Sequence, residues 1–110
     1  MTYNLDSNHA DIVKAFRDFG AMVKIVDNAK VKRREPGQLD LWVGLVNPYG
    51  QIGVWIWVEV KTATGKLRAE QLDNINDCED KGLPVEVVRS TADVERVYHK
   101  YLEIMRKAEK

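Results

Sequence analysis

The stretch that most constrains this chain is GVWIWVEVK at residues 53–61, an apolar run that closes on two charges. β-branched and aromatic residues dominate it, which predicts a strand. Side chains alternate along a strand, so Ile56, Val58 and Val60 form one aliphatic face. Trp55, Trp57, Glu59 and Lys61 form the other. Charged groups resist burial unless they are paired or bind a metal. A strand of this kind therefore predicts a packed core on one face and a polar site at the end of the other.

The preceding segment, LDLWVGLV at residues 39–46, reads as a second strand, and Asn47-Pro48-Tyr49-Gly50 between them carries strong turn chemistry. A short turn joins the two as an antiparallel hairpin. With the hairpin centred between Tyr49 and Gly50, Asp40 lies directly across from Glu59. A centre one residue toward Pro48 makes them diagonal neighbours, still on one face. Either register brings two carboxylates together at one end of the sheet.

Around the hairpin the periodicity predicts the remaining elements. Ile12, Phe16 and Phe19 recur at helical spacing over residues 8–19, with Asn8 as N-cap and Gly20 as the stop. Residues 21–26 read as a first strand and residues 27–38 as a polar, basic loop. After a loop at residues 62–66, a helix over 68–81 turns Leu72, Ile75 and Cys78 to the core and stops at Gly82. A strand over 85–89 follows Pro84. Ser90 then caps a last helix, with Asp93 favouring its positive end. Along that helix Val94, Val97, Tyr98, Tyr101, Leu102 and Met105 make an apolar stripe, read as core. The order is αβββαβα in a single α/β domain over residues 1–110, a four-stranded mixed sheet flanked by helices. The last strand, reached by a helical crossover, lies parallel to the third.

Composition excludes several classes. The 45% hydrophobic content suffices for a core, and the longest apolar run, residues 53–58, is one strand long, not a membrane span. The first residues, MTYNLDSNHA, lack the basic-then-apolar order of a signal peptide, so a cytoplasmic location is expected. Cys78 is the only cysteine, which excludes an internal disulfide and a cysteine-based zinc site. No Gly-rich phosphate loop, serine nucleophile motif or organic-cofactor fingerprint occurs, and His9 and His99 are not in metal-finger spacing. The formal net charge of zero argues against coating nucleic acid by bulk electrostatics, while leaving room for a local basic patch.

Asp40 and Glu59 repel when they close on each other, and a divalent cation removes the conflict. Magnesium takes a few carboxylate oxygens plus several waters, and the Val60 carbonyl offers a third protein ligand. Lys61, on the same face as Glu59, suits activation of a water and stabilisation of charge on a phosphate. Gln71, on the first turn of the next helix, lies past the Lys61 end of the strand, within reach of that water or lysine. Lys30, Lys32, Arg33 and Arg34 lead toward Asp40 as phosphate contacts, and Lys66 and Arg68, which flank the far side, add to them together with Arg89. No base-reading motif and no aromatic single-strand platform is evident, which points to recognition by backbone and shape.

Taken in order, these residues resemble the VRR-NUC branch of the PD-(D/E)XK nucleases, in the short stand-alone form of phages and prophages. The matching stretches run from Asp6-x-Asn8-x-x-Asp11-Ile12-Val13 through Gly37-x-x-Asp40-Leu41-x-Val43-Gly44 and Val58-Glu59-Val60-Lys61. They continue with Leu67-x-x-x-Gln71 and Gly82-x-Pro84-Val85-x-Val87-Val88-Arg89-Ser90. The resemblance implies a restriction-endonuclease-like core and a magnesium- or manganese-dependent DNA endonuclease. Asp40 and Glu59 are then metal ligands and Lys61 the catalytic lysine, with Gln71 matching a motif glutamine. The family's first-helix acid falls on Asp11, with His9 and Asp6 as alternative offsets. Stand-alone members resemble Holliday-junction resolvases, which implies a homodimer acting on branched DNA, four-way junctions or flaps, in replication, recombination or repair. Two departures stand out: Leu39 replaces the proline before the aspartate, and Arg68 replaces the usual Ser/Thr cap before the glutamine helix. The competing readings are a non-catalytic DNA-binding or assembly module that keeps the fold, and a restriction-type nuclease half.

Overall fold

In the computed structural model the described residues are 8–26, 39–49 and 52–108. They form α1 (His9–Asp18), β1 (Met22–Ile25), β2 (Leu41–Val46), β3 (Gly53–Val60), α2 (Ala69–Asp80), β4 (Val85–Val88) and α3 (Thr91–Ala108). This is the expected αβββαβα order. Lys61 falls just past β3, yet its N–H still donates to the Val88 carbonyl at 3.0 Å and so continues the ladder.

The four strands pair in the order β1-β2-β3-β4. β1 with β2 and β2 with β3 are antiparallel, and β3 with β4 is parallel. In the hairpin Leu41 pairs with Val58 and Trp42 with Trp57, the register that puts Asp40 level with Glu59. The turn that sets it is held by Asn47, whose Oδ1 accepts the Tyr49 N–H at 3.0 Å.

One face of the sheet carries the core. Leu41, Val43, Leu45, Ile56, Val58, Val60 and Val88 meet Ile12, Val13 and Phe16 of α1 and Val94, Val97, Tyr101 and Met105 of α3. Each buried aliphatic side chain there stabilises the fold by roughly 1.5–3 kcal/mol. The apolar stripe on the last helix is therefore core, as its period required. α2 packs on the opposite face.

Both helix stops use glycine at positive φ, Gly20 at 84° and Gly82 at 72°. The turn that follows each returns an N–H to the helix, Ala21 to Phe16 and Leu83 to Cys78. Ser90 caps α3 through Oγ to the Asp93 N–H at 3.2 Å, and the Asp93 carboxylate takes the Arg89 N–H at 2.8 Å.

Three side chains differ from expectation. Leu72 is exposed, because α2 buries Gln71 and Ile75 and Leu72 is turned about 100° from that stripe. Phe19 is partly exposed and stacks on Tyr98 with ring centroids 4.4 Å apart. Asn8 occupies the N-cap position but makes no capping bond; its amide is committed elsewhere. No helix among the described residues is long and apolar enough to cross a membrane.

Candidate active site

At the end of the hairpin the β2–β3 ladder stops at Leu41–Val58. The next main-chain donor on β3, the Val60 N–H, is taken by the Asp40 carboxylate, Oδ2 at 2.9 Å. The Asp40 carbonyl faces the other way and accepts the Val26 N–H at 2.8 Å. A side chain thus replaces the main-chain partner where the strands diverge. Within a strand the N–H and C=O of one residue point to the same side. The Val60 carbonyl therefore faces the same fork, beside Asp40.

Glu59 belongs to the Trp face, opposite the core, and is 1% exposed. Two groups hold it. The Gln71 Nε2 donates to Oε2 at 2.7 Å, and the Lys61 ammonium lies 3.6 Å from the same oxygen. Lys61 is held in place, with its side chain 14% exposed. Strand alternation and hairpin register, which united Asp40, Glu59 and Lys61 on one face, describe the observed arrangement.

Gln71 is buried, and both ends of its amide are used. Its Oε1 accepts the Arg68 N–H at 2.9 Å while its Nε2 holds Glu59. One side chain caps α2 and ties that helix to the site strand. The guanidinium of Arg68 has no acceptor atom, so the cap rests on Gln71 alone. The absent Ser/Thr cap does not leave the helix start loose, because Gln71 fixes it from within.

The first helix reaches the site through Asn8. Its Nδ2 donates to the Lys61 carbonyl at 3.0 Å and to the Arg89 carbonyl at 2.8 Å. This clamp seats the start of α1 at the Lys61 end of the sheet. His9 is buried there, 4% exposed, with no hydrogen bond at Nε2 among the described residues. Asp11 is exposed, lying about 200° around the helix from His9 and so facing away from the sheet. Of the two offsets among the described residues, His9 is the one turned inward; Asp6 lies outside the described residues.

The candidate phosphate contacts divide. Lys66 and Arg68 are exposed on the approach to α2. Arg89 instead donates from Nη1 to the carbonyls of Thr62 (2.7 Å) and Gly65 (2.6 Å), bracing the loop that follows Lys61. Lys30, Lys32, Arg33 and Arg34 lie outside the described residues.

A third buried acid escaped the sequence reading. Glu86 of β4 is 8% exposed, accepts the Tyr101 hydroxyl at 2.9 Å and pairs with Lys100 at 2.6 Å. Burial, and then the hydrogen bond to Glu86, push the Tyr101 phenol above its ordinary range. In the sequence Glu86 is an ordinary polar residue within VEVV, with no signal to mark it. Its cations and phenol make it structural.

The donors at the fork are all oxygen: two carboxylates and a main-chain carbonyl. That set suits a hard divalent cation that keeps part of its water. No group of three or more His, Cys, Asp and Glu side chains placed to hold a metal occurs among the described residues. Such a cation would therefore rest on two carboxylates, the Val60 carbonyl and water.

Among solved structures the chain is similar to a VRR-NUC domain, with 28% sequence identity and a TM-score of 0.61, over 84% of this chain and 95% of that one. No family model and no curated protein matches it.

Proposed function

From the VRR-NUC fold of this chain, a nuclease-type domain, we propose a magnesium- or manganese-dependent endonuclease that hydrolyses phosphodiester bonds in DNA. The observation that carries the reading is Glu59. A carboxylate 1% exposed, bridged by Gln71 and Lys61 and level with Asp40, is costly for folding and suited to chemistry.

Asp40, Glu59 and the Val60 carbonyl would hold the cation, which supplies Lewis-acid polarisation of the phosphate and lowers the pKa of a bound water. The chain's own groups do the rest. Asp40 is aimed by the Val60 N–H, and Glu59 by Gln71. Lys61 projects its ammonium beside Glu59, where it orients the attacking water and offsets negative charge growing on the phosphoryl oxygens. The water oxygen bonds to phosphorus, the bond to the leaving sugar oxygen breaks, and that oxygen takes up a proton. Lys66 and Arg68, with the basic segment from Lys30 to Arg34, would contact the phosphates either side of the cut.

A symmetric homodimer would present two such sites to two strands, which fits branched DNA such as four-way junctions or flaps. The test is cleavage of linear duplex, flap and four-way junction DNA with magnesium, manganese or EDTA, beside Lys61→Ala. Metal-dependent cutting that disappears in Lys61→Ala is expected. Cutting by Lys61→Ala at the parent rate, or none by the parent with any substrate, overturns the reading. Light scattering across protein concentrations tests the dimer.

A further inference from the structure

We propose that the three tryptophans form a stacking platform for unpaired DNA bases next to the cutting site, an inference that rests on the nuclease reading and names the form of substrate it takes.

Trp42, Trp55 and Trp57 are the only tryptophans in the chain, and the sequence shows no aromatic platform because Trp42 reaches the other two only through hairpin pairing. All three lie on the face that carries Asp40, Glu59 and Lys61. Trp42 pairs with Trp57 across the hairpin and Gly44 with Trp55, and directly paired residues share a face. Trp42 touches both others, with ring centroids 4.4 Å from Trp57 and 5.7 Å from Trp55. A Cβ at Gly44 would meet the Trp55 ring at 3.1 Å, so the missing side chain lets that ring lie down on the backbone.

Packing does not use up this surface. Trp55 is 44% exposed, and Trp42 and Trp57 are half-buried. α2 shares this face but packs toward its β4 edge, and Trp55 keeps its exposure among the described residues. Large exposed apolar patches of this kind mark binding surfaces.

Two observations select the occupant. Trp57 is two residues before Glu59, about 7 Å along the strand, and Trp55 about 14 Å. A strand with a phosphodiester at Glu59 thus has its neighbouring nucleotides within reach of the rings. The charges agree: Lys24 pairs with Trp42 in the β1–β2 register, and Lys61 closes the other end of the face. A second copy seated on the rings would obstruct the approach to Glu59. Bases within a duplex already stack on one another, so the rings select unpaired ones, for which aromatic stacking is sequence-tolerant. A branch point supplies such nucleotides beside duplex.

Because no other tryptophan exists, intrinsic fluorescence reads this face alone. The intact chain is titrated in EDTA, where binding is separated from cutting, with a short oligothymidylate and with blunt duplex of equal length. Single strand should quench the emission and duplex quench it much less. By anisotropy of labelled oligothymidylate, Trp55→Ala should bind about tenfold more weakly, and Trp55→Phe should recover most of the loss. Equal binding by parent and Trp55→Ala, or no quenching by single strand, overturns the proposal. So does emission that shifts with protein concentration alone alongside dimer in light scattering, which assigns the face to a second copy. If oligothymidylate quenches but no substrate is cut with metal, the nuclease reading fails and the binding face stands. If cutting is intact and quenching is missing, the reverse holds.

Discussion

Replacing Gln71 tests the bridge between α2 and the site. Its amide makes two bonds from a position only 3% exposed, to the Glu59 carboxylate and to the Arg68 N–H. A hydrogen bond to a charged group contributes about 1.5–3 kcal/mol and one to a main-chain amide about 1 kcal/mol. Gln71→Ala should therefore cost about 3 kcal/mol, a large part of the roughly 5–15 kcal/mol that holds a domain of this size. At about 4 °C per kcal/mol, the midpoint falls by about 12 °C. Gln71→Glu is the sharper probe, because it keeps the acceptor for Arg68 and sets a carboxylate against Glu59. Two charges about 4 Å apart at an effective dielectric constant of about 20 repel by roughly 4 kcal/mol. One of the pair must then hold a proton, so its pKa in the folded state rises above the unfolded value. Stability is retained below the ordinary glutamate range and lost as pH rises through the folded value. Urea unfolding in EDTA at pH 4 and pH 8 should show Gln71→Glu near the parent at the lower pH and well below it at the higher. Exposed Leu72, the next residue, serves as control, with Leu72→Ala within about 0.5 kcal/mol of the parent. If Gln71→Glu is as stable as the parent at pH 8, Gln71 does not hold an ionised Glu59 and the account of the site is wrong.

Other expectations concern the remaining parts. Magnesium at about a hundred times its dissociation constant should raise parental stability by about 2.7 kcal/mol, and Asp40→Asn should abolish most of that gain; equal gains in a thermal melt count against Asp40 as a ligand. Arg89→Ala should slow cutting by freeing the loop after Lys61 while binding of DNA in EDTA changes little; a matching loss of binding would make Arg89 a phosphate contact instead. The raised Tyr101 phenol predicts stability that is fully present at neutral pH and falls above the ordinary phenol range, with a shallower fall in Tyr101→Phe by alkaline titration of the unfolding midpoint. Asp11→Ala should leave metal-dependent cutting unchanged and His9→Ala should reduce it, measured on one substrate; the opposite pattern would return the role to Asp11.

Local chemistry carried most of the fold into view. Asn47-Pro48-Tyr49-Gly50 set the hairpin, the hairpin set Asp40 against Glu59, and alternation added Lys61. What escaped were side chains whose partners are distant in the chain. Asn8 reads as a helix cap because capping is the nearest use for its amide, yet it bonds carbonyls at Lys61 and Arg89. Arg89 reads as a phosphate contact, yet it meets a loop more than twenty residues earlier. Leu72 took the core position on hydrophobicity, and Gln71 displaced it because a buried carboxylate needed a donor. Periodicity ranks residues by apolarity and has no means of seeing that need.

The Asn8 clamp also sets a timetable. Its two bonds span 53 and 81 residues of chain. The hairpin needs only its own turn to form, so Asp40 and Glu59 can meet early. The start of α1 can make both bonds only once β4 has been made and has paired with β3. Contacts of such long range form late, because closing the intervening chain must precede the gain. A partly folded chain would thus bring its two acids together well before the wall around them is complete. The finished candidate site arrives only with the finished domain.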